Sequence, residues 1–538
     1  GIAPQLRSVD PGALLTTPAT AAVRDLQEVS GRRIMMGDGL PLVPEQFGAG
    51  VDAIAGTVSA IRPLSVAVAS LRDDQVLRFA EGAIRSVPSW LVGRITGREI
   101  AARSAAFERF AQTLRDNTPD IVVLVGGTER KPDRVVVAMA EAIAVAVSLI
   151  RPHERPLMVY VGPEELRTSV AAVVADRMPV RMVDSVSPDG RAPELGPLSR
   201  ELDGLYLGLL GQVRGSPADW CAGSVYSPGR AMLRAYSRPG VDVLAVDVGA
   251  ASTVVVRSGR ELVLVKPDCG VGQGALGILE ESGAEAVQRW VAADVTEDEI
   301  GNWAMNRDAR PWIRCLEPEE RAVELAFARE ALSGARRLAA ESWPEVAVSH
   351  LPLLARADMV VGSGAVLGHC DSVAEVALAL IDGVQPVGVC RLALDWGGLA
   401  AGLGTLADLN PGAVRSVLEQ DSILVLGTLI APVGQSRPGR PALGIEMSLP
   451  EGGRTTLEVP TGSIARVELS AGLRAKATVH PRKPFDVGTG RAGQGLEVEV
   501  EGGALGVIID ARGRPLPDVR RLPDRAERLK RWLVELGG

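Results

Sequence analysis

Small residues and one acid interrupt an apolar run near the middle of the chain, in VLAVDVGAASTVVV (Val243–Val256). The pattern predicts a strand, a tight turn and a returning strand. The turn offers accessible backbone N–H groups and then two hydroxyls, from Gly249, Ala250, Ala251, Ser252 and Thr253. Such amides bind anions, and the carboxylate of Asp247 can hold a hydrated Mg²⁺ ion. The segment predicts a site for the terminal phosphates of a nucleotide. The alternative is a hairpin whose small residues serve only packing.

A second glycine-rich turn follows more than a hundred residues later, in VVGSGAV (Val360–Val366). Gly362 and Gly364, on either side of Ser363, would let the backbone pass flat against a ligand ring or a phosphate. An ordinary strand-to-helix turn is the alternative. The segment VGGTE (Val125–Glu129) is a comparable turn, and alone it does not separate ligand binding from packing.

Other catalytic classes find no support among the motifs. The sequences GxSxG, HExxH and GxxxxGK[ST] are absent, which argues against the corresponding hydrolases, zinc enzymes and P-loop NTPases. Five cysteines without CxxC spacing and four scattered histidines offer no structural metal site. The odd number of cysteines favours a reduced, cytoplasmic protein.

Length and charge limit the partners. A chain of 538 residues can form two to four domains, and a net charge of −8 argues against sequence-independent binding of nucleic acid. The longest apolar stretch, 135–150, contains Glu141 and is shorter than the roughly 20 residues that a membrane helix needs. We therefore expect neither a nucleic-acid partner nor a membrane span, and the sequence leaves open whether the chain forms a homo-oligomer.

Alternating strands and helices position these motifs. Apolar runs bounded by proline, glycine or charge predict strands at 62–71, 121–125 and 155–163, and a helical pattern covers 134–149. This alternation predicts a mostly parallel sheet that is covered on both faces. Between the hairpin and the second turn, the spacing predicts a long helix at 317–341, and Ser372 and Glu375 form a plausible capping box for the next helix.

The character of the sequence changes near residue 420. Alternating residues around Glu-Gly-Gly turns predict a small antiparallel β domain. We expect an N-terminal half at 1–240, a second half with both motifs at 241–420, the β domain at 421–515 and a terminal helix at 516–538.

The order of the motifs resembles a known fold. A strand with an Asp-x-Gly hairpin, followed by a strand with a Gly-Ser-Gly turn, is similar to the second half of the actin, sugar kinase and heat-shock ATPase fold. More narrowly, VLAVDVGAASTVVV, DMVVGSGAVL and PDIVVLVGGTE resemble the glutamate mutase L family, whose members are accessory proteins encoded with adenosylcobalamin-dependent mutases. The segments 56–71 and 485–517 resemble members with an extra C-terminal domain, so the likeness covers nearly the whole chain.

The resemblance implies an α/β fold with two ribonuclease H-like (actin-like ATPase) halves around a cleft, followed by a C-terminal antiparallel β domain. It implies an ATP-binding accessory or chaperone-like protein that acts on a cobalamin-dependent mutase, and it leaves weak ATPase activity open. ATP and Mg²⁺ are the implied cofactors, with Asp247 positioning the metal. The phosphates would contact the hairpin and the adenosine would contact the second turn, at Gly249, Ala250, Ser252, Thr253, Gly362, Ser363 and Gly364.

The chain departs from the family pattern in three places. It begins after the position of the first phosphate hairpin, which is either trimmed or absent. Ala250 and Ala365 each stand where the family has glycine, and Val254 stands where it has aspartate. These changes weaken hydrolysis more than they weaken the fold.

Two other functions therefore stay open. One is a nucleotide-free structural or assembly protein that kept the ATPase fold, which the two alanines and the missing first hairpin favour. The other is a small-molecule kinase, which would need a catalytic aspartate in the first half that the sequence does not identify.

Overall fold

A computed structural model describes residues 11–538 except 38–39, 58–61, 103, 131, 211–224, 344–346, 349–350, 355 and 451. The described chain forms two compact units. The first unit comprises residues 11–228 and 263–265, and the second comprises 229–262 and 266–538. Within the described residues, no helix is long and apolar enough to cross a membrane.

The first unit is built on a five-stranded sheet in which every strand is parallel to its neighbours. Its order, β3-β2-β4-β5-β6, is that of doubly wound α/β folds. A further short pair joins β1 to β7. The strands are β1 (Gly56–Thr57), β2 (Leu64–Ser70), β3 (Ser89–Thr96), β4 (Ile121–Val125), β5 (Leu157–Val161), β6 (Val180–Val183) and β7 (Val225–Tyr226).

Helices cover both faces of this sheet because its central strands are apolar on both sides. Val66 and Val68 of β2 pack in one core, while the alternating residues Ala67 and Ala69 pack in another on the opposite face. The helices of the unit are α1 (Pro11–Ser30), α2 (Gln75–Ile84), α3 (Gly97–Ala101), α4 (Ala105–Asn117), α5 (Val135–Val147), α6 (Arg167–Val174) and α7 (Gly196–Leu210).

The second unit is built on an eight-stranded mixed sheet in the order β10-β9-β8-β13-β14-β15-β21-β18. The hairpin β8–β9 is antiparallel, and β13 lies parallel to both β8 and β14. The first five strands thus have the 3-2-1-4-5 order of a ribonuclease H-like sheet. They are β8 (Val243–Val248), β9 (Ser252–Arg257), β10 (Leu262–Pro267), β13 (Met359–Ser363) and β14 (Gly388–Asp395), with a short pair β11 (Ala347–Val348) and β12 (Leu351–Leu354) between β10 and β13 in the chain.

Two long helices pack together beside this sheet, α12 (Pro318–Ser342) and α14 (Val373–Val384). The Ser372 hydroxyl accepts a hydrogen bond from Glu375 N at 3.3 Å, which caps α14 as its sequence predicts. The other helices of the unit are α8 (Pro228–Tyr236), α9 (Ala275–Ser282), α10 (Ala284–Gln288), α11 (Glu297–Ala309), α13 (Ala365–Gly368), α15 (Ala400–Thr405), α16 (Pro411–Val417) and α17 (Arg525–Glu535).

The strands after residue 420 divide between two sheets. Four form an additional antiparallel sheet in the order β17-β16-β19-β20: β16 (Pro441–Ser448), β17 (Arg454–Pro460), β19 (Arg474–Pro481) and β20 (Leu496–Glu501). Three others extend the central sheet beside β14: β15 (Ile423–Ala431), β18 (Ile464–Val467) and β21 (Val507–Asp510).

The predicted α/β class, with a parallel sheet and an additional antiparallel sheet, is confirmed. Two details differ from the sequence expectation. The sheet of the first unit has no antiparallel hairpin and is doubly wound, whereas the ribonuclease H-like order occurs in the second unit. Also, β15, β18 and β21 belong to the central sheet instead of a separate β domain, because their apolar residues are buried on both faces.

Candidate functional site

The hairpin turn and the chain after the Gly-Ser-Gly turn line one cavity in the second unit. This cavity measures about 390 Å³, which lies within the usual range for small-molecule sites. Gly249 and Ala250 contribute one wall, and Ala365 and Val366 at the start of α13 contribute another. The structure therefore brings together the two motifs that the sequence places 113 residues apart, from Gly249 to Gly362.

Parallel pairing explains why the two motifs meet. Residues of β13 lie opposite residues of β8, with Gly362 opposite Val246 and Ser363 opposite Asp247. The carboxyl ends of both strands consequently reach the same edge of the sheet. Beyond the pairing, Gly364 has a left-handed φ of +98° and lies against the backbone of Val248.

A glycine-rich loop covers one side of the hairpin turn. Val271 N donates to Gly249 O at 2.9 Å, and Gly274 N donates to Ala250 O at 3.0 Å. A Cβ atom on Gly270 would lie 2.5 Å from the carbonyl carbon of Ala250, so this loop needs glycine to approach so closely. The glycines of DCGVGQG (Asp268–Gly274) thus serve packing against the turn.

The amides of the turn are only partly available to a ligand. Gly249 N donates to Ser252 O at 3.0 Å and closes the turn. Among the described residues, the amides of Ala250 and Ala251 have no hydrogen-bond partner, and Ala250 is exposed. Ala250 lines the cavity, whereas the amide of Ala251 lies against Gly270 of the covering loop, so an anion in the cavity would meet one free amide and not three.

The two hydroxyl residues of the hairpin differ in their surroundings. Ser252 is half-buried at the start of β9. Thr253 is fully buried, and its hydroxyl donates to Cys269 O at 2.5 Å. Since the Thr253 hydroxyl is used inside the protein and does not line the cavity, the expectation that Thr253 holds a phosphate is corrected here to a role in attaching the covering loop.

The residues of the second turn also serve mainly packing. Gly362 is buried, and a Cβ atom there would lie 2.8 Å from the Cδ2 atom of Leu380 in α14. Ser363 is 3% exposed, and Gly364 is half-buried at the end of the turn. The cavity is lined instead by the next two residues, Ala365 and Val366, and Gly362 and Ser363 are not among its lining residues.

A pair of carboxylates lies behind the cavity, joined by a serine. Ser363 donates its hydroxyl to Asp395 Oδ2 at 3.3 Å and also lies within hydrogen-bonding reach of Asp247. Burial raises the pKa of Asp247 to about 6, the Ser363 hydroxyl opposes this, and the nearby Asp395 adds to it. Asp247 is thus a carboxylate whose charge changes close to neutral pH.

Asp395 is the site residue that the sequence analysis missed. It is fully buried at the end of β14, and it accepts hydrogen bonds from the backbone of Leu399 at 3.0 Å and of Ala400 at 2.9 Å, and from the Ser422 hydroxyl at 2.5 Å. The signal in the sequence is an aspartate that ends an apolar strand, which is the same signal that marks Asp247. Asp395 therefore positions Ser363, whose hydroxyl lies between the two carboxylates.

The remaining wall of the cavity comes from α12 and the segment Pro311–Leu316 before it. Arg307 attaches this segment, since its guanidinium donates to Ile313 O, to Val271 O at 3.2 Å and to Glu324 Oε1 at 2.5 Å. Trp312 lines the cavity with 68% of its surface exposed. Arg314 also lines it and has no ion-pair partner among the described residues.

Metal binding has limited support from side chains. In the described part of the chain, no group of three or more His, Cys, Asp or Glu residues could hold a metal ion. Asp247 is therefore a single carboxylate ligand at most. The four described cysteines, Cys269, Cys315, Cys370 and Cys390, are free thiols.

Comparison with known proteins supports a family and gives only distant structural likenesses. The family model described as MutL protein matches residues 13–422. None of the curated proteins matches the chain. Among solved structures, component A of (R)-2-hydroxyglutaryl-CoA dehydratase from Acidaminococcus fermentans is 12% identical over 50% of this chain and 80% of its own, with a TM-score of 0.19.

A second solved structure is the activator of 2-hydroxyisocaproyl-CoA dehydratase from Clostridium difficile with bound ADPNP. It is 15% identical over 42% of this chain and 85% of its own, with a TM-score of 0.21. At these scores the likeness to both proteins is too distant to transfer a function.

Proposed function

Because the chain belongs to the MutL protein family, the glutamate mutase L family that its motifs resemble, we propose that it is an ATP-binding accessory protein for an adenosylcobalamin-dependent mutase. The observation that carries this proposal is the shared cavity of the two motifs. A cavity of about 390 Å³ with a free amide at Ala250, a nearby carboxylate and an exposed indole has the size and chemistry for a nucleotide.

The phosphates would lie at the hairpin turn. The amide of Ala250 and the hydroxyl of Ser252 would be the donors on that side, with Gly249 allowing close approach. Arg314 supplies a positive charge on the opposite wall. Asp247 would hold Mg²⁺ largely through water, since it is one carboxylate and Mg²⁺ retains several waters when it has few protein ligands.

The base would lie between α13 and the segment before α12. Ala365 and Val366 present apolar surface there, and the indole of Trp312 offers a face on which an adenine can stack. When bound, ATP supplies the free energy of its terminal phosphate bond. The residues of the chain bind and orient it, and the carboxylate of Asp247 stays ionised above its pKa of about 6.

The proposed partner is the catalytic component of the mutase. Binding and release of nucleotide would shift the protein between conformations that differ in affinity for this partner. A cytoplasmic location remains a prediction of the same hypothesis, which leaves weak ATPase activity and the oligomeric state open.

A second candidate, the nucleotide-free assembly protein, has one specific observation in its favour. Ala250 and Ala365 are both exposed and both line the cavity, so their methyl groups occupy space at the positions where the family has glycine. If these methyl groups block the phosphate or the base, the fold persists without the chemistry.

Calorimetric titration with Mg-ATP separates these functions. We expect the full chain to bind and Asp247→Ala to lose most of the affinity, while Asp298→Ala, an exposed aspartate of α11, keeps it. No heat from any of the three proteins would favour the assembly protein. Transfer of phosphate to a small metabolite would favour the kinase instead.

A further inference from the structure

The parallel sheet of the first unit has a topological switch point between β2 and β4. The chain passes from β2 to β3 on one side and then returns to β4 on the other side of β2. In open doubly wound sheets, ligands bind in the crevice outside the carboxyl ends of the strands at such a point. In this unit, a cavity of about 90 Å³ lies there.

One residue at the carboxyl end of β2 is buried without a hydrogen bond. Ser70 lines the cavity and is only 2% exposed, yet its hydroxyl has no partner among the described residues. The hydroxyl oxygen is not enclosed by the protein and is accessible from the cavity. A ligand in the cavity would supply the missing partner.

Other donors surround this hydroxyl. Thr128 lines the cavity, and neither its hydroxyl nor the amides of Gly127 and Thr128 have a hydrogen-bond partner within the described chain. Arg72 lines the cavity as well, is exposed and forms no ion pair with a described residue. Hydroxyls, free amides and a guanidinium together form a set of donors that suits an oxyanion.

The two acids at the cavity are already engaged. Asp74 Oδ1 accepts hydrogen bonds from the amides of Val76 at 3.0 Å and Leu77 at 3.4 Å, and so caps α2. Asp133 Oδ1 accepts from Val135 N at 3.0 Å at the start of α5. Both carboxylates thus accept hydrogen bonds from helix amides, and Arg72 is the cation among the lining residues that offsets their charge.

Packing explains one glycine of the VGGTE turn but not the other. Gly126 lies against the ring of Tyr160, where a Cβ atom would be 2.8 Å from the ring carbon Cε2. Gly127, with φ of +88°, has only the Cδ2 atom of Leu71 within 4 Å of that position, at 3.6 Å. The positive φ of Gly127 accounts for glycine at this position, and the absence of a side chain leaves the backbone accessible from the cavity.

We propose that the first unit binds a phosphate-bearing small molecule at this switch point, with its phosphoryl group held by Ser70, Thr128 and Arg72. A cavity of about 90 Å³ accommodates one phosphoryl group, and the rest of the molecule extends to solvent past Arg72. This site lies within the first unit, whereas the cavity of the proposed ATP site is lined by residues of the second.

Calorimetry on the full chain tests the proposal, with inorganic phosphate in one arm and glycerol 1-phosphate in the other. We expect both inorganic phosphate and glycerol 1-phosphate to bind. Glycerol 1-phosphate should bind more tightly than phosphate if the physiological ligand is a larger phosphate ester. Ser70→Ala and Arg72→Gln should each weaken binding roughly tenfold, because each removes a hydrogen bond to a charged group. Arg115→Gln, which changes an exposed arginine of α4, should not.

The controls separate this site from folding and from the proposed ATP site. Ser70→Ala removes an unpaired hydroxyl, so its melting temperature should not fall, and its loss of binding is then not a loss of fold. Asp247→Ala should keep phosphate binding in the first unit even where it loses Mg-ATP. Absence of heat in both arms, or equal affinities for the parent chain and Ser70→Ala, would overturn the proposal.

Discussion

Gly364 lies so close to Val248 that a Cβ atom on it would be 2.3 Å from the carbonyl oxygen of Val248. The Gly-Ser-Gly turn therefore touches the end of the hairpin strand through backbone alone. Together with the left-handed φ of +98°, this contact explains the glycine without any ligand. The turn fixes the position of α13, whose first residues line the cavity.

The first prediction concerns this contact. Gly364→Ala should lower the free energy of unfolding by more than about 2 kcal/mol, because the methyl group overlaps backbone and the φ angle becomes strained. Gly402→Ala is the matched control, since that glycine lies in a helix with nothing within 4 Å of its Cβ position, and it should be neutral or slightly stabilising. Denaturant titration of both variants decides, and an unchanged stability of Gly364→Ala would contradict the contact.

The second prediction separates the two hydroxyls of the hairpin. Thr253→Val removes the buried hydrogen bond to Cys269 O, so it should cost about 1–2 kcal/mol of stability and leave the affinity for Mg-ATP unchanged. Ser252→Ala should do the reverse, with little effect on stability and weaker nucleotide binding. Thermal unfolding measures the effect on stability, and calorimetry measures the effect on nucleotide affinity. If only Thr253→Val lost affinity for Mg-ATP, the assignment of the phosphate contact to Ser252 would be wrong.

The sequence predicted the local elements of the site well because their patterns are regular. The hairpin predicted within Val243–Val256 is formed by β8 and β9, and the helix predicted at 317–341 is α12, Pro318–Ser342. The proline at the first turn and the 3,4 spacing of apolar residues reflect local physics that tertiary packing does not override.

What the sequence did not reveal depends on contacts between distant segments. Asp395 follows an apolar strand like Asp247, but only the pairing of β13 with both β8 and β14 brings the two acids to one serine. Similarly, glycine spacing could not distinguish Gly362, which accommodates Leu380, from a residue facing a ligand. The addition of β15, β18 and β21 to the central sheet follows from burial on both faces, which period-two patterns do not separate from a local β domain.

The third prediction concerns a buried ion network that attaches β21 to the helices. Asp510 is fully buried and pairs with Arg512 and Arg514 at 2.9 Å, while Asp382 of α14 pairs with Arg512 at 2.8 Å. Burial alone would raise the pKa of Asp510, but the two arginines hold it well below its usual range. Asp510→Asn should therefore destabilise the fold by about 3–5 kcal/mol, since it leaves the buried guanidinium of Arg514 without its counter-charge, while Arg512 keeps Asp382.

The exposed pair of Asp518 and Arg520 provides the control for this network. Its ions are 2.9 Å apart on the surface, where such pairs contribute less than about 1 kcal/mol. Asp518→Asn should shift the denaturation midpoint only slightly. Equal shifts for the two asparagine variants would mean that the buried network adds nothing beyond a surface pair.

The fourth prediction follows from the raised pKa of Asp247. In the folded protein this pKa is about 6, whereas an unfolded aspartate titrates near 3.9. Between about pH 4 and pH 6 the folded state binds more protons than the unfolded state, so the free energy of unfolding falls as the pH rises through this window. Above about pH 6 the full cost of the buried charge is present, at most about 3 kcal/mol.

Asp247→Asn removes that cost and should be more stable than the parent chain at pH 8, with a difference that shrinks toward pH 4. Asp176→Asn, an exposed aspartate, should show no such trend. Urea unfolding of the three proteins at each pH measures the difference in the free energy of unfolding directly.

The same titration predicts that the parent chain loses affinity for Mg-ATP below about pH 6, as Asp247 becomes neutral. A stability difference between Asp247→Asn and the parent that stays constant from pH 4 to pH 8 would show that this carboxylate does not titrate in the window, and would remove its proposed role as the acid beside the phosphates.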